Sequence, residues 1–196
     1  MANATADYGF AYVRCHLGDP QPIECAALAA ASDLYIGDPV KLSGTADSSA
    51  RPSITVAAAG DTSIFGVVTG VKATGPDNLN KMHSTSADTI IVMPTGPGAI
   101  FRVNASGATG TRLDDIGLGF DHVAGTGDTL TGRSGYALDM GEDASAGATT
   151  GRQWRVIGFD RRPDNEYSTT VTTDTINVDL LVVCAESFWF TGGAGA

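Results

Sequence analysis

The residues best suited to chemistry lie in one short stretch, IGFDRRPDNEY, at positions 157–167. Only 17% of the whole chain is charged, yet these eleven residues carry five charges, on Asp160, Arg161, Arg162, Asp164 and Glu166. Carboxylates beside guanidinium groups can form an active site, a phosphate clamp or a contact between subunits. The surrounding sequence has to decide among these three uses.

The neighbouring residues favour a structural use of this cluster. QWRVIGFD (153–160) has the pattern of a strand, and Pro163-Asp164-Asn165 is strong turn chemistry. No histidine or lysine lies close by in the sequence to complete a catalytic set. The pattern therefore predicts a corner of ion pairs at the end of a strand, formed within the chain or with a neighbouring subunit.

Other candidate constellations are weaker. His16, His83 and His122 are far apart and lack metal-ligand spacing, which favours scattered surface histidines. Ser134 in GRSGYALD does not fit GxSxG, so a tight turn is favoured over a nucleophile. GTGDTLTG (125–132) lacks the Lys-Ser or Lys-Thr of a phosphate-binding loop. We expect no enzyme activity, no metal and no cofactor.

The elements that must position these residues are predicted to be strands. The chain has 25 glycines among 196 residues and only three lysines, a composition typical of short strands joined by turns. The strand candidates, chosen for alternating or β-branched residues, are 8–13, 34–42 with a break at Gly37-Asp38-Pro39, 53–57, 64–71, 89–93, 99–105, 128–140, 153–160 and 175–183. The last, TINVDLLVV, is apolar on both faces and is expected to be central.

Two kinds of segment leave the fold open. PIECAALAAASD (22–33) combines a proline start with alanines but leads into a strand, so helix and strand both fit. Stretches 43–52, 106–111, 117–127 and 141–151 are rich in glycine, serine or threonine and are interpreted as long loops. We expect an all-β, antiparallel domain, either a jelly-roll-like β-sandwich or a β-barrel. Its predicted limits are an N-terminal arm over 1–20, one β domain over 21–190 and a flexible tail over 191–196.

Charge and cysteine content restrict the partners. The net charge is −10, which disfavours binding to nucleic acid phosphates and to anionic membrane surfaces. No apolar run is long enough to span a bilayer, and MANATADYGF has no signal-peptide pattern, so synthesis in a cytoplasm is expected. Three widely spread cysteines argue against a disulfide framework, and Cys184 is expected to be a buried thiol.

Three segments together carry a resemblance to a known family. They are LYIGDPVKLSGTAD with ITVAAAGDTSIFGVVTGV (34–47 and 54–71), TGRSGYALD (131–139) and QWRVIGFDRRPDNEY (153–167). In order and spacing they resemble the decoration, or cement, proteins of tailed bacteriophages, over most of residues 34–167. The resemblance implies a structural protein on the outer capsid surface of a virion, made in the host bacterial cytoplasm. It further implies a homotrimer that binds the major capsid protein and stabilises the shell.

Such a trimer needs contact residues, which we expect among exposed aromatic and charged side chains. The candidates are Tyr8, Phe10, Tyr12, Arg161, Arg162, Asp164, Glu166, Phe188, Trp189 and Phe190. For each aromatic set, the alternative is an ordinary strand face packed in the core of its own chain. Whether the N-terminal arm exchanges between protomers is left open.

Two other functions compete with decoration. A carbohydrate- or receptor-binding β module of a virion would need exposed aromatic residues and a cleft, with Trp189 as its best candidate. TGRSGYALD also resembles the Arg-Ser-Gly segment of trimeric dUTP pyrophosphatases, which would place the sensitive residues at Arg133 and Ser134. That family's water- and sugar-holding motif does not occur here, and the tail GGAGA carries no arginine for a triphosphate.

Overall fold

A computed structural model describes residues 8–28, 33–73, 75–76, 82–84, 88–106, 113–141, 151–167 and 177–189. The predicted all-β class is confirmed, since these residues form strands and one 3-10 turn at Leu113–Asp115. The strands are β1 (Ala11–Cys15), β2 (Ile23–Ala27), β3 (Leu34–Tyr35), β4 (Pro39–Ala46), β5 (Pro52–Val56), β6 (Gly66–Val71), β7 (His83–Ser84), β8 (Thr89–Pro94), β9 (Ala99–Ser106), β10 (Gly119–Phe120), β11 (His122–Val123), β12 (Ala137–Asp139), β13 (Trp154–Phe159) and β14 (Asp179–Cys184).

Five of the strands close into a barrel in the order β2-β5-β4-β6-β8. The β2–β5 pair is parallel and the remaining pairs are antiparallel. Closure leaves the barrel without free edges. Its interior is filled by alternating apolar side chains, with Val40, Ile54, Val68, Ile90 and Val92 all fully buried.

The other large element is a seven-stranded sheet in the order β10-β13-β14-β9-β12-β11, with β1 paired to β9 as well. β14 lies between β13 and β9, so the last predicted strand is central as expected. Residues 11–15 of the predicted N-terminal arm belong to this sheet, because β1 pairs antiparallel with β9. A second apolar core covers one face of the sheet and includes Phe101, Trp154 and Leu180.

Side chains on opposite faces of β6 join the two elements. Val68 points into the barrel, whereas its neighbour Val67 packs in the core of the sheet, as the two-residue period of a strand requires. Polar contacts reinforce the join. Trp154 Nε1 donates to His122 Nδ1 at 3.2 Å, and His122 Nε2 lies 2.9 Å from the carbonyl of Ala57, on the β5–β6 connection. The sheet is therefore fixed against the barrel by apolar packing and by a buried imidazole.

Several sequence predictions need correction. Residues 22–33 were open between helix and strand, and the described part forms strand β2 because it pairs with β8 and β5. The predicted loop 43–52 is partly strand, since β4 continues to Ala46. The predicted loop 117–127 contains β10 and β11. The predicted strand 128–140 is strand only at Ala137–Asp139, since Asp128 to Arg133 form a tight turn.

The predictions for individual side chains are mixed. All three cysteines are free, and Cys25 and Cys184 are buried. His122 is 1% exposed, which corrects the expectation of a surface histidine. In the described parts of the chain, no helix is long and apolar enough to cross a membrane, and no group of three or more potential metal ligands occurs.

Candidate functional site

A cleft of about 670 Å³ lies at the junction of sheet and barrel. The sheet contributes a polar wall, made by side chains of β9, by the start of β14 and by the segment after β13. The barrel side contributes Ile36, Gly37, Val68, Thr69 and Met93. Tyr8, Phe10 and Tyr12 line the same cleft, together with Arg133. Polar and apolar walls thus face one space, as in many small-molecule sites.

The charged residues predicted as a corner form one wall of this cleft. Arg162 Nε lies 2.7 Å from Asp160 Oδ2, its Nη2 binds Asp179, and its Nη1 lies 3.6 Å from Asp164. Arg102 on β9 also reaches Asp160, at 3.4 Å. We call residues 160–165 with Asp179 the charged corner. Its ion pairs are formed within one chain.

A tight turn holds the charged corner in place. Asn165 N–H donates to the carbonyl of Arg162 at 3.1 Å, which confirms the turn predicted from Pro163-Asp164-Asn165. The buried Asn165 side chain then binds two other backbone segments. Its Nδ2 donates to the carbonyls of Asp160 and Asp179, and its Oδ1 accepts the N–H of Asp179 at 2.9 Å. The corner is thereby fixed to the first residue of β14.

Electrostatics at the cleft follow from this pairing. Burial, and then the neighbouring Asp179 carboxylate, raise the pKa of Tyr8 well above its ordinary value. Partial burial alone would lower the pKa of Arg162, but Asp179, Asp160 and Asp164 outweigh it and raise that pKa. Tyr8 therefore remains a neutral phenol and Arg162 a cation. Arg102 is further held over the Tyr8 ring, with its guanidinium carbon 5.4 Å from the ring centroid.

A second feature is a set of exposed apolar side chains near the turn that follows β8. We define the apolar end as Leu17, Pro97, Phe188 and Trp189. Leu17 is 75% exposed, Phe188 40% and Trp189 41%, and Pro97 is exposed as well. The turn after β8 connects them: Thr95 binds the Ser187 hydroxyl, while Pro97 lines a small hollow with Leu17. The apolar end is thus built from two separate segments around one turn.

The backbone under Phe188 and Trp189 is firmly held. Ser187 is fully buried, and its hydroxyl donates to the carbonyl of Thr95 at 2.7 Å. Phe188 N–H donates to the carbonyl of Ile64 at 2.9 Å, and Trp189 Nε1 donates to the carbonyl of Phe65 at 3.0 Å. Both aromatic rings contact the Phe65 ring. The exposed rings are therefore presented on a fixed support.

The candidate contact residues fall into distinct environments. Phe10 is buried and stacks on Trp154 at 4.1 Å, so the alternative of ordinary core packing describes it. Tyr8 and Tyr12 are half-buried in the cleft, and Arg162 is tied into the charged corner. The candidates with exposed side chains are Arg161, Asp164, Glu166, Phe188 and Trp189. Phe190 lies outside the described residues.

The structure also locates the residues that the competing functions would use. Ser134 is buried and its hydroxyl accepts the N–H of Tyr136 at 2.9 Å, as expected for a turn residue. Trp189, the expected sugar-stacking residue, is not among the residues that line the cleft. Sequence reasoning missed Arg102, Asn104 and Asp179, which complete the cleft wall. Polar residues at 102, 104 and 179 within apolar strands were the available signal.

Comparison of the chain with family models, with curated proteins and with solved structures found no match in any of the three. The function must therefore be argued from the cleft, the charged corner and the apolar end.

Proposed function

We propose that this chain is a structural virion protein that decorates and stabilises the outer surface of a tailed-phage capsid as a homotrimer. The observation that carries the proposal is the apolar end, where aromatic side chains are exposed on a rigid support. Exposed apolar groups held in a fixed position mark contact surfaces, and aromatic residues are enriched at the centres of such contacts. The apolar end forms the contact between protomers.

The resemblance to decoration proteins supports the same function, and its segments have defined places in the fold. Residues 34–47 and 54–71 contain barrel strands β4 and β6, while 153–167 contains β13 and the charged corner. A closed barrel and a densely hydrogen-bonded corner give a body that resists deformation, which a shell-stabilising protein requires. Repeated weak contacts around a symmetric shell then add up to strong attachment.

The exposed part of the charged corner is assigned to the major capsid protein. Arg161 is exposed directly before a turn that Asn165 holds in place. Its charge can pair with an opposite charge on a capsid surface without disturbing the buried corner. The acidic chain, with a net charge of −10, also favours solubility at the high copy number of a shell component.

The direct test is the protein composition of purified virions of the phage that encodes the chain. Quantitative mass spectrometry is expected to find the chain in fixed proportion to the major capsid protein, through two density gradients. Extraction with mild denaturant is expected to release it before the shell disassembles. Absence of the chain from virions, or its presence inside with the packaged DNA, would contradict the proposal.

A further inference from the structure

Three buried polar atoms of residues that line the cleft have no hydrogen-bond partner among the described residues: Asn104 Oδ1, Arg102 Nε and the Tyr8 hydroxyl. Asn104 is only 3% exposed, and its Nδ2 is already used, donating to Asp179 Oδ1 at 3.2 Å. A buried acceptor or donor without a partner is unfavourable. All three side chains line the cleft, so a group that enters the cleft can supply the missing hydrogen bonds.

Asn104 Oδ1 and Arg102 Nε, an acceptor and a donor, form a matched pair. Arg102 and Asn104 are two residues apart on β9 and therefore lie on the same face of the strand. Asp179 pairs directly opposite Asn104 in the sheet register, which explains the contact between their side chains. A ligand at this face has to donate one hydrogen bond, to Asn104, and accept one, from Arg102.

The charges around the cleft are balanced, which restricts the ligand further. The cleft is lined by three guanidinium groups, on Arg102, Arg133 and Arg162, and by two carboxylates, on Asp164 and Asp179. A third carboxylate, on Asp160, is not a lining residue but pairs with both Arg102 and Arg162. Arg162 is committed to the carboxylates, as its ion pairs show. A phosphate or a free carboxylate would meet Asp164 and Asp179 as well as the arginines. The balance therefore favours a neutral ligand.

The opposite wall is apolar and aromatic. Ile36 and Met93 come from the barrel side, and Tyr8 and Tyr12 lie at the β1 side of the cleft. The ligand must accordingly present an apolar surface on one side and hydrogen-bonding groups on the other. Hydroxyl groups serve as donors and acceptors at once, so adjacent hydroxyls on a C–H-rich ring meet every requirement.

We propose that the cleft binds a neutral saccharide, with adjacent ring hydroxyls donating to Asn104 Oδ1 and accepting from Arg102 Nε. The C–H face of the sugar packs against Tyr8 and the barrel wall. A cleft of about 670 Å³ falls within the size range of small-molecule sites. The proposal does not depend on capsid decoration. It assigns saccharide binding to the chain itself, in any oligomeric state.

Saturation-transfer difference NMR on the purified chain tests this, with maltose, lactose and N,N′-diacetylchitobiose as separate probes at millimolar concentration. At least one probe is expected to give a saturable signal that localises to its ring protons. Arg102→Lys keeps the positive charge but removes the planar Nε donor. We expect this variant to bind the same probe with at least tenfold lower affinity. Arg161→Lys is the matched control outside the cleft, and its affinity should equal that of the wild type.

A second variant tests the cleft independently, in case the Arg102 variant fails to fold. Thr69 is half-buried on the barrel wall of the cleft, and Thr69→Met fills part of the cavity from that side. This variant should also lose the sugar signal, while its amide NMR spectrum remains that of a folded protein. The proposal is overturned if no probe binds, or if binding persists unchanged in folded Thr69→Met. It is equally overturned if inorganic phosphate or N-acetylglycinamide, added as competitors, occupies the cleft and no sugar does.

Discussion

Arg162 and Trp189 were both candidates for contacts between subunits, yet their surroundings differ. The guanidinium of Arg162 is bound by Asp160, Asp164 and Asp179 of its own chain. Trp189 satisfies its one polar group with the carbonyl of Phe65 and leaves 41% of its surface exposed. The charged corner is complete within one chain, whereas the apolar end still has surface to bury.

This difference shows what a charge cluster in a sequence can and cannot indicate. Acids and bases side by side predict ion pairs, but the same pattern serves an internal corner and an external contact. Burial of the partners separates the two uses. Asp179 is nearly buried and lies on a central strand, so its pairing with Arg162 stabilises the fold itself.

The largest effect should come from breaking the charged corner. Asp179→Ala leaves the partly buried Arg162 without its closest carboxylate and leaves Asn104 Nδ2 without its acceptor. Arg162 keeps Asp160, but one charge-assisted hydrogen bond is lost and a buried amide donor is left without its acceptor, so we expect the free energy of unfolding to fall by about 3 kcal/mol. Chemical denaturation with urea measures this change.

The adjacent arginine gives the control for that experiment. Arg161 is exposed, and Arg161→Ala should alter the free energy of unfolding by less than about 0.5 kcal/mol. If Asp179→Ala were as mild as Arg161→Ala, the corner would not be a stabilising element. Its ion pairs would then be available for an external partner.

Asp38 is a buried acid without a paired cation among the described residues, and it can be compared with the ion-paired acids of the charged corner. Asp38 is 2% exposed, and burial raises its pKa from 3.8 to about 6, although hydrogen bonds from Ser134 and from the N–H of Tyr35 lower it. The folded protein therefore favours the protonated acid. That contribution to stability is present below pH 4 and is lost as the pH rises through 6.

Asp38→Asn keeps an oxygen for the N–H of Tyr35 and cannot ionise. Relative to wild type, we expect it to raise the free energy of unfolding by about 2 kcal/mol at pH 7.5 and by almost nothing at pH 4. Buried His122, whose pKa is lowered by burial, destabilises both proteins equally as the pH falls below 6.5, so the difference isolates Asp38. An equal shift at both pH values would contradict the assignment.

Much of the fold was predictable because most strands carry local signals. β4, β6, β8, β9 and β13 follow from alternating or β-branched residues between turn residues. β10 and β11 were missed because each has only two residues, in a stretch rich in glycine. A β-barrel was one of the two predicted architectures, but the strand pairing that closes it could not be predicted, since β2 pairs with both β5 and β8, which are distant in sequence.

The candidate site was predictable only in part, for the same reason. The turn at Pro163 and the charges beside it are local, and the sequence located them correctly. Their partners Arg102 and Asp179 belong to neighbouring strands of the folded sheet and are far away in the chain. Asn104 Oδ1 lacks a hydrogen-bond partner because of the way the folded chain packs, so no sequence pattern could predict it.

Substitution at the apolar end should affect folding much less than substitution at Asp179. Phe188→Ser removes a ring that is 40% exposed and contacts Phe65, while the backbone bond to Ile64 remains. We expect the free energy of unfolding of the dissociated protein to change by about 1 kcal/mol or less. Thermal unfolding at low concentration measures it. A loss as large as that of Asp179→Ala would place Phe188 among the core residues instead.

The central claim, that the apolar end joins protomers, is tested most directly by the solution mass. Light scattering at micromolar concentration and two salt concentrations should compare wild type, Phe188→Ser and Arg161→Ala. The account predicts a mass near three times 20.0 kDa for wild type and Arg161→Ala, and a monomer for Phe188→Ser. A monomeric wild type, or a trimer that persists in Phe188→Ser and dissociates in Arg161→Ala, would contradict it.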